Sequence, residues 1–420
     1  VTAAPIVVIG GGFVGLCSAL QLQRRGFAVA LVDPGDPERA ASFGNAGQFA
    51  VGEVVPISGP GTLRRVPAWL ADPLGPLAIR WRHLPRLTPW LIRFLRAGRA
   101  DRVAAISAAM AKLCDLIHLD YHPLLEAAGA GSLVRPGPHL RLYPSRAEFD
   151  AEGWRWELRV RSGLRHELLD RPALHALEPT IGESIGFAVA SPDRSSVLEP
   201  LALMSAFGSC LRAGGGEVVQ ASATGFRREG SRVTGVTLAD GAVLPASQVV
   251  IAAGAWSHRL TALLGDRVPL ESERGYHVVL PEPGVVPRHS MSHVARGFAL
   301  LPMGDRLRLA GTVELASLDA PPNWDRARVL IEVARDLLPG LNAEGARFWM
   351  GHRPALPDSL PIIDRASQAA NVIYAFGHGH MGLSWAATTG RLVADLATGT
   401  PSNLDTSPFR LARFSGPVWA

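Results

Sequence analysis

The first apolar positions of the chain come as an unbroken run rather than an alternation. Pro5 is followed by Ile6-Val-Val-Ile9, then by three glycines, Gly10 to Gly12. A four-residue apolar run without polar partners predicts a strand buried on both faces. Leu16, Ala19 and Leu20 then recur at helical spacing, so a helix with one apolar face follows, ended by Gly26. Phe27 to Val32 predict a second strand, closed by Asp33. No charge appears between Pro5 and Gln23, a pattern that also suits a membrane or signal segment. Three consecutive glycines, the leading proline and the lack of a basic region before it argue against that alternative.

Further along, Ala41-Ser-Phe-Gly-Asn-Ala-Gly-Gln48 is a small-residue loop of the kind that lets backbone approach a flat ligand. Residues 56–90 are rich in Pro, Trp and Arg, and helical periodicity takes over from about Leu91 to Ala128. Strand and turn signals from Gly215 to Gly241 predict a meander. It leads into the buried strand Val249-Val-Ile-Ala-Ala-Gly-Ala-Trp-Ser257. Strands recur near 276–280, 298–313 and 346–350, and Asn371 to Gly399 reads as strand, glycine loop and helix. A βαβ start, a later Ala-Ala-Gly strand and a C-terminal strand-loop-helix predict a nucleotide domain assembled from separated pieces.

The spacing of Gly10, Gly12 and Gly15 is G-x-G-x-x-G, placed between a strand and a helix. The first glycine permits the tight turn, the second lets phosphates approach the backbone, and the third packs helix on strand. Phosphates then sit on a helix N-terminus, where free N–H groups and the helix dipole favour an anion. Asp33, eighteen residues after Gly15, stands where an acid bonds ribose hydroxyls. A glycine turn alone occurs in many α/β proteins. Strand, helix, second strand and acid together point to a dinucleotide.

Composition changes this picture little. A chain of 420 residues predicts two domains, and 47% hydrophobic with 19% charged residues suits a globular protein. The net charge of +5 comes from arginine, since Lys112 is the only lysine, and no basic run with interleaved aromatics suggests nucleic acid. Cys17, Cys114 and Cys210 lie in apolar helical contexts, which indicates neither a disulfide framework nor a metal site and suits a reducing cytoplasm.

Several motifs jointly resemble the glycine oxidase and D-amino acid oxidase family of FAD-dependent enzymes, and more closely its D-amino acid dehydrogenase branch. They are the N-terminal fingerprint, Ser42 to Gln48, Val249 to Ser257, Trp349-Met-Gly-His-Arg-Pro354, Pro357-Asp358 with Pro361-Ile362, and Gly377-His-Gly-His-Met-Gly-Leu383. The resemblance implies an α/β fold: a Rossmann-like FAD-binding domain from residues 1–60, 185–262 and 350–420, and an α+β substrate domain from 61–184 and 263–349. It implies FAD, held across the N-terminal fingerprint and the C-terminal glycine loop. Cofactor contacts are then expected at Gly10, Gly12, Phe13, Val14, Gly15, Asp33 and Pro34, and at Ser42, Asn45, Ala46, Gly47 and Gln48. Further contacts are expected at Ala223, Ala253, Gly254, Trp256 and Arg353, and at Gly379, His380, Met381, Gly382 and Leu383. Members with covalent flavin use a cysteine near the C-terminal end. This chain has none after Cys210, so non-covalent FAD is expected.

Arg353 resembles the family's carboxylate-binding arginine, whose planar fork suits bidentate capture. Holding the carboxylate fixes Cα opposite flavin N5, so hydride transfer proceeds by orientation, with no acid–base residue strictly required. Tyr276, His277, His380 and Gln48 are the other candidate substrate contacts, although a lone histidine is more often structural, as His378 is expected to be. The branch usually has Thr-Leu in the C-terminal loop where His380-Met381 stand, and often Ser where His277 stands. Both departures resemble dehydrogenases of cis-4-hydroxy-D-proline.

For the electron acceptor, related oxidases place a lysine above the flavin, whereas Lys112 lies far from the motifs; a quinone or carrier is the expected acceptor. Pro89 to Arg96 reads either as a helix touching a membrane surface or as an ordinary helix packed on the second domain. Two rivals stand beside the enzyme reading: a flavin-binding electron-transfer or assembly subunit, and an oxygen-using oxidase.

Overall fold

A computed structural model describes residues 4–62, 66, 72, 75 and 77–415. Strand β1 (Ile6–Ile9) leads through the glycine turn into helix α1 (Phe13–Arg24) and strand β2 (Val29–Asp33). These strands lie in a six-stranded sheet. Its order is Glu217–Gln220, β2, β1, Gln248–Ile251, Val372–Phe376 and Ile362–Arg365, parallel except for the last strand. Every residue of β1 is buried, as the unbroken apolar run requires of a strand covered on both faces. One face packs α1 and the helices Pro200–Ala213 and Gly382–Thr398. The other packs the three-stranded meander, through Val233, Val236 and Leu238.

A nine-stranded mixed sheet forms the second layer system. Its path runs Arg347–Ala355, Glu271–Leu280, Arg306–Leu315, Phe298–Met303, Ser290–His293, His139–Tyr143, Phe187–Ser191 and Glu167–Asp170, with Leu77–Ile79 pairing Arg306–Leu315. Helix Asp325–Leu337 covers one face, packing Leu330 and Leu337 on Tyr276, Val278, Leu300 and Leu309. The other face lines the main cleft. Two strands depart from the expected division. Phe187–Ser191 pairs His139–Tyr143 and Glu167–Asp170, and Arg347–Ala355 borders Glu271–Leu280, so residues near 187 and 350 belong to the second sheet. Nothing in a short apolar strand marks which sheet it joins; long-range pairing decides that.

The helical stretch predicted from Leu91 to Ala128 is three helices, Leu84–Ala97, Ala100–Cys114 and Ile117–Ala127. In the first, Leu87 and Trp90 pack against Leu315 and Ala355, while Ile92 and Leu95 stay exposed. Among the described residues no helix is long and apolar enough to cross a membrane.

Helices α1 and Gly382–Thr398 meet with no side chain between them at Gly390, where a Cβ would stand 2.6 Å from the carbonyl oxygen of Cys17. Gly390→Ala is therefore expected to lower stability by about 1 to 3 kcal/mol, overriding the helix propensity that alanine adds. Urea unfolding measures it; a midpoint equal to or above wild type would contradict the close backbone packing.

Candidate functional site

Each glycine of the turn meets a different constraint. Gly10 has φ +111° and a Cβ there would lie 2.4 Å from the carbonyl oxygen of Ala252. At Gly15 a Cβ would lie 1.8 Å from the carbonyl oxygen of Gly10, so this residue closes the helix on its own strand. Gly12 has an ordinary φ of −72°, faces the cleft, and would place a Cβ 2.9 Å from Ser42 Oγ. The Ser42 hydroxyl accepts the Phe13 N–H at 3.1 Å, and no side chain caps α1 at Gly12. Beyond the Phe13 N–H, the helix N-terminus is left open to an anion. Asp33 accepts the Gly11 N–H at 2.7 Å and the Gly35 N–H at 2.9 Å, which fixes its carboxylate on the cleft wall.

A cleft of about 920 Å³ runs from this turn to the nine-stranded sheet. Val32, Asp33, Pro34 and Ala223 line it near the strand ends, with Ala253, Gly254 and Trp256 from the turn after Gln248–Ile251. Phe13, Val14, Ser42, Asn45, Ala46 and Gln48 line it further on, as do Gly379, His380, Met381, Gly382 and Leu383. Three expected residues do not line it. Gly15 packs against Gly10, Gly47 turns at φ +58° against Val197, and His277 lies behind the loop. His277 Nδ1 bonds the Gly44 carbonyl oxygen at 3.1 Å, and its ring stacks on Trp349 at 4.7 Å. Together with Arg308, which donates to Asn45 O at 2.7 Å, it pins the 42–48 loop to the second sheet.

Tyr276, next in the strand, points to the opposite face. It borders the cleft, but its hydroxyl donates to Glu314 at 2.5 Å and accepts the Asn323 N–H at 2.9 Å. Gln48 donates to Ser196 Oγ at 2.6 Å, while its buried Oε1 has no partner. Gln48 also helps to line the cleft. His378 is buried and bonds Thr389 Oγ1 at 2.8 Å, whereas His380 is open to the cleft. Enclosure by the cleft walls still lowers the His380 pKa, against the opposing pull of Glu53 and Glu273.

Arg353 lies across Gly275, where a Cβ would stand 2.2 Å from its Nη2. Gly275 stands opposite the bulge at Thr312-Val313 of Arg306–Leu315, and having no side chain it clears the bed for the guanidinium. Nη1 donates to Glu273 at 3.1 Å and approaches the carbonyl oxygen of Thr312, a residue held at φ +53°. The arginine is paired with one carboxylate and remains partly open to the cleft. Sequence reasoning missed Glu53, His139, Arg141 and Arg194, which line the same cleft. The strand His139-Leu-Arg-Leu-Tyr143 carried a signal, because its alternation sets His139 and Arg141 on one face.

A model of the family described as DAO, FAD dependent oxidoreductase, matches residues 5–396. The chain belongs to that family. It is 39% identical over 417 residues to a D-amino-acid oxidase of Bradyrhizobium diazoefficiens, covering 97% of this chain and 98% of the relative. It is 31% identical over 428 residues to a D-amino acid dehydrogenase of Paramagnetospirillum magneticum, covering 99% and 100%. The glycine oxidase of Geobacillus kaustophilus shares the fold, with a TM-score of 0.74 at 22% identity, covering 97% of this chain and 98% of that one. The cofactor of this FAD dependent oxidoreductase is FAD, and the open helix end and the Gly12 bed on the cleft wall fit it. None of the three cysteines lines the cleft.

Gly12→Val is expected to purify colourless with an unchanged far-ultraviolet circular dichroism spectrum, since its side chain fills the bed of the pyrophosphate. Wild-type protein should release its FAD on acid precipitation. A yellow Gly12→Val protein, or FAD retained on the denatured chain, would contradict the assignment.

Burial holds His277 and His378 down at about 3, with Arg308 adding to the effect at His277. Their folded pKa values lie below the unfolded value near 6.5, so between those limits only the unfolded chain takes up these protons. Stability is full above pH 6.5 and falls with acidification by about 1.4 kcal/mol per pH unit for each such group. The urea midpoint should therefore drop from pH 7 to pH 5, and less steeply in His378→Gln. A flat profile would show that the two rings are not held neutral.

Proposed function

We propose that this chain oxidises a D-amino acid to the imino acid and passes the electrons to a quinone or other carrier. The observation that carries this reading is Arg353, laid over Gly275 on the cleft wall, with Glu273 bonded to its Nη1. A planar cation so placed suits a substrate carboxylate. The names of the relatives from Bradyrhizobium diazoefficiens and Paramagnetospirillum magneticum support an amino acid of the D series.

Bound FAD would supply the acceptor for the hydride that carries the two electrons away from Cα. The protein's part is orientation: Arg353 binds the carboxylate, the bare backbone of Gly275 sets its height, and cleft walls exclude water from the amine. His380, lowered in pKa and open to the cleft, can accept a hydrogen bond from the substrate amine or a ring hydroxyl. The reading of cis-4-hydroxy-D-proline as substrate drew on His277 and His380; since His277 is committed to Gly44 and Trp349, it keeps His380 as its one support.

The acceptor reading rests on lysine. Lys112, the only one in the sequence, is exposed on Ala100–Cys114 and does not line the cleft. Trp81, Ile92 and Leu95 are exposed on and beside the helix Leu84–Ala97, where a membrane-borne acceptor would meet the protein. A second reading, direct use of oxygen, is favoured by the D-amino-acid oxidase relative and by arginines in the cleft that can supply the cation.

Anaerobic mixing of the holoenzyme with D- and L-amino acids, D-proline and cis-4-hydroxy-D-proline tests the reaction by bleaching of the flavin. D-amino acids should bleach it and L-isomers should not; no bleaching by any would favour the electron-transfer subunit. Arg353→Ala should retain FAD and lose about 2 to 5 kcal/mol of transition-state binding, on the order of 30- to 5,000-fold in kcat/KM. Arg353→Lys should recover part of it, since the charge returns without the fork. Normal turnover by Arg353→Ala would place the carboxylate elsewhere.

A further inference from the structure

A second cationic group stands in the cleft, and the reaction as described does not use it. Glu53 pairs with Arg141, and its carboxylate oxygens lie 3.4 Å from Arg194 and 3.6 Å from Arg159. The other carboxylate near Arg159 is Glu152, at 3.9 Å, which is itself paired with Arg155 at 3.2 Å. Four guanidiniums thus share two carboxylates, leaving two positive charges in excess. Arg141, Arg159 and Arg194 are 8%, 4% and 4% exposed, and the Nε of each has no partner. His139 adds no charge, since burial keeps its ring neutral between the hydroxyls of Ser290 and Ser292.

Excess buried charge of one sign is unfavourable unless an anion joins it. The open N-terminus of α1 belongs to the cofactor pyrophosphate, and the arginines lie elsewhere. Arg141 and Arg194 line the cleft on the side of His380, which feels Glu53 and Arg141 as well as Glu273 and Arg353. Arg353 reaches the cleft from one edge of the nine-stranded sheet and Arg141 from the strand His139–Tyr143. Between them the sheet presents Gly275, Ala310, Ala299 and Ser292 to the cleft, all small. A ligand can lie across that floor with an anionic group at each end.

We propose that Arg141 and Arg194 form a second carboxylate site opposite Arg353, and that the preferred substrate is a D-amino acid whose side chain ends in a carboxylate. The proposal rests on the D-amino acid reading above and names its substrate class. Arg353 takes the α-carboxylate, and the Arg141–Arg194 pair takes the side-chain carboxylate. Glu53 holds the pair in place and leaves it net positive. A neutral side chain leaves that charge without its counterion.

The test uses the wild-type holoenzyme and matched pairs at three lengths: D-aspartate with D-asparagine, D-glutamate with D-glutamine, and D-2-aminoadipate with D-norleucine. In anaerobic flavin reduction, at least one acid should exceed its neutral partner by about tenfold or more in second-order rate constant. Binding is read separately, from the shift of the flavin absorbance band with succinate and glutarate against butyrate; the diacids should bind about tenfold more tightly. Arg194→Met should cut the acid-to-neutral ratio by about tenfold, and Arg194→Lys should restore part of it. Equal rates within every pair, while D-amino acids still bleach the flavin, would overturn the second site and leave the broader reaction standing. If no D-amino acid bleaches the flavin, the reaction reading fails, and the diacid titration alone decides whether the site exists. A change in flavin potential in Arg194→Met with unchanged selectivity would assign the charge to the cofactor and overturn the proposal.

Discussion

The close approach of backbone to backbone around α1 is the constraint on which the rest depends. Gly15 lets the helix sit against the carbonyl of Gly10, and Gly390 lets the last long helix sit against the carbonyl of Cys17. The first contact closes α1 on its own strand, and the second ties segments from the two ends of the chain, Cys17 and Gly390, into one packed layer. Because of them, the glycine turn after β1 and the His378–Gly382 turn open onto the same cleft. A side chain at either glycine would separate a nucleotide-binding end from a substrate-binding end.

The second sheet enters that arrangement through the loop 42–48, which is held from above and below. Asn45 turns the loop by accepting the Gly47 N–H, Ser42 caps Phe13 on α1, and His277 and Arg308 grip the carbonyls of Gly44 and Asn45. Trp349 lies flat against Gly44 and Gly351, where any Cβ would stand within about 2 Å of its ring, and its N–H donates to Glu38 O. The aromatic face thus fills the seam between the two sheets. His277 therefore contributes to the site by setting loop height.

Local signals were legible in the sequence, and signals that depend on pairing between distant strands were not. The strand-turn-helix at Gly10 to Gly15, the acid at Asp33 and the C-terminal strand-loop-helix are each written in a contiguous stretch. Arg353 was legible through its motif, but its bed was not, because the bulge at Thr312-Val313 opposite Gly275 arises only when Glu271–Leu280 pairs with Arg306–Leu315. Tyr276 and His277 look equivalent as neighbours in sequence. The pleat sends one toward Glu314 and the other toward Gly44, so at most one such residue could serve any one face. The arginines at 141, 159 and 194 come from a strand, a helix and a turn, and nothing in their spacing announces that they share Glu53.

The two cationic groups of the cleft differ in how they are neutralised, and that difference has chemical content. Arg353 has one carboxylate, Glu273, for one charge, so an incoming α-carboxylate shares a guanidinium that is already stabilised when empty. The Glu53 cluster has too few carboxylates for its charges. Burial opposes ionisation of Glu53, yet three arginines overcome it and hold the carboxyl well below the usual carboxylate range. The same burial brings Arg194 down to about 10, with Arg141 adding repulsion and Glu53 opposing it. An anion entering there relieves repulsion among cations and gains attraction at once, in a pocket where water screens little. On the proposed reading the first group would orient any amino acid at modest electrostatic gain, whereas the second would discriminate by the charge of what reaches it.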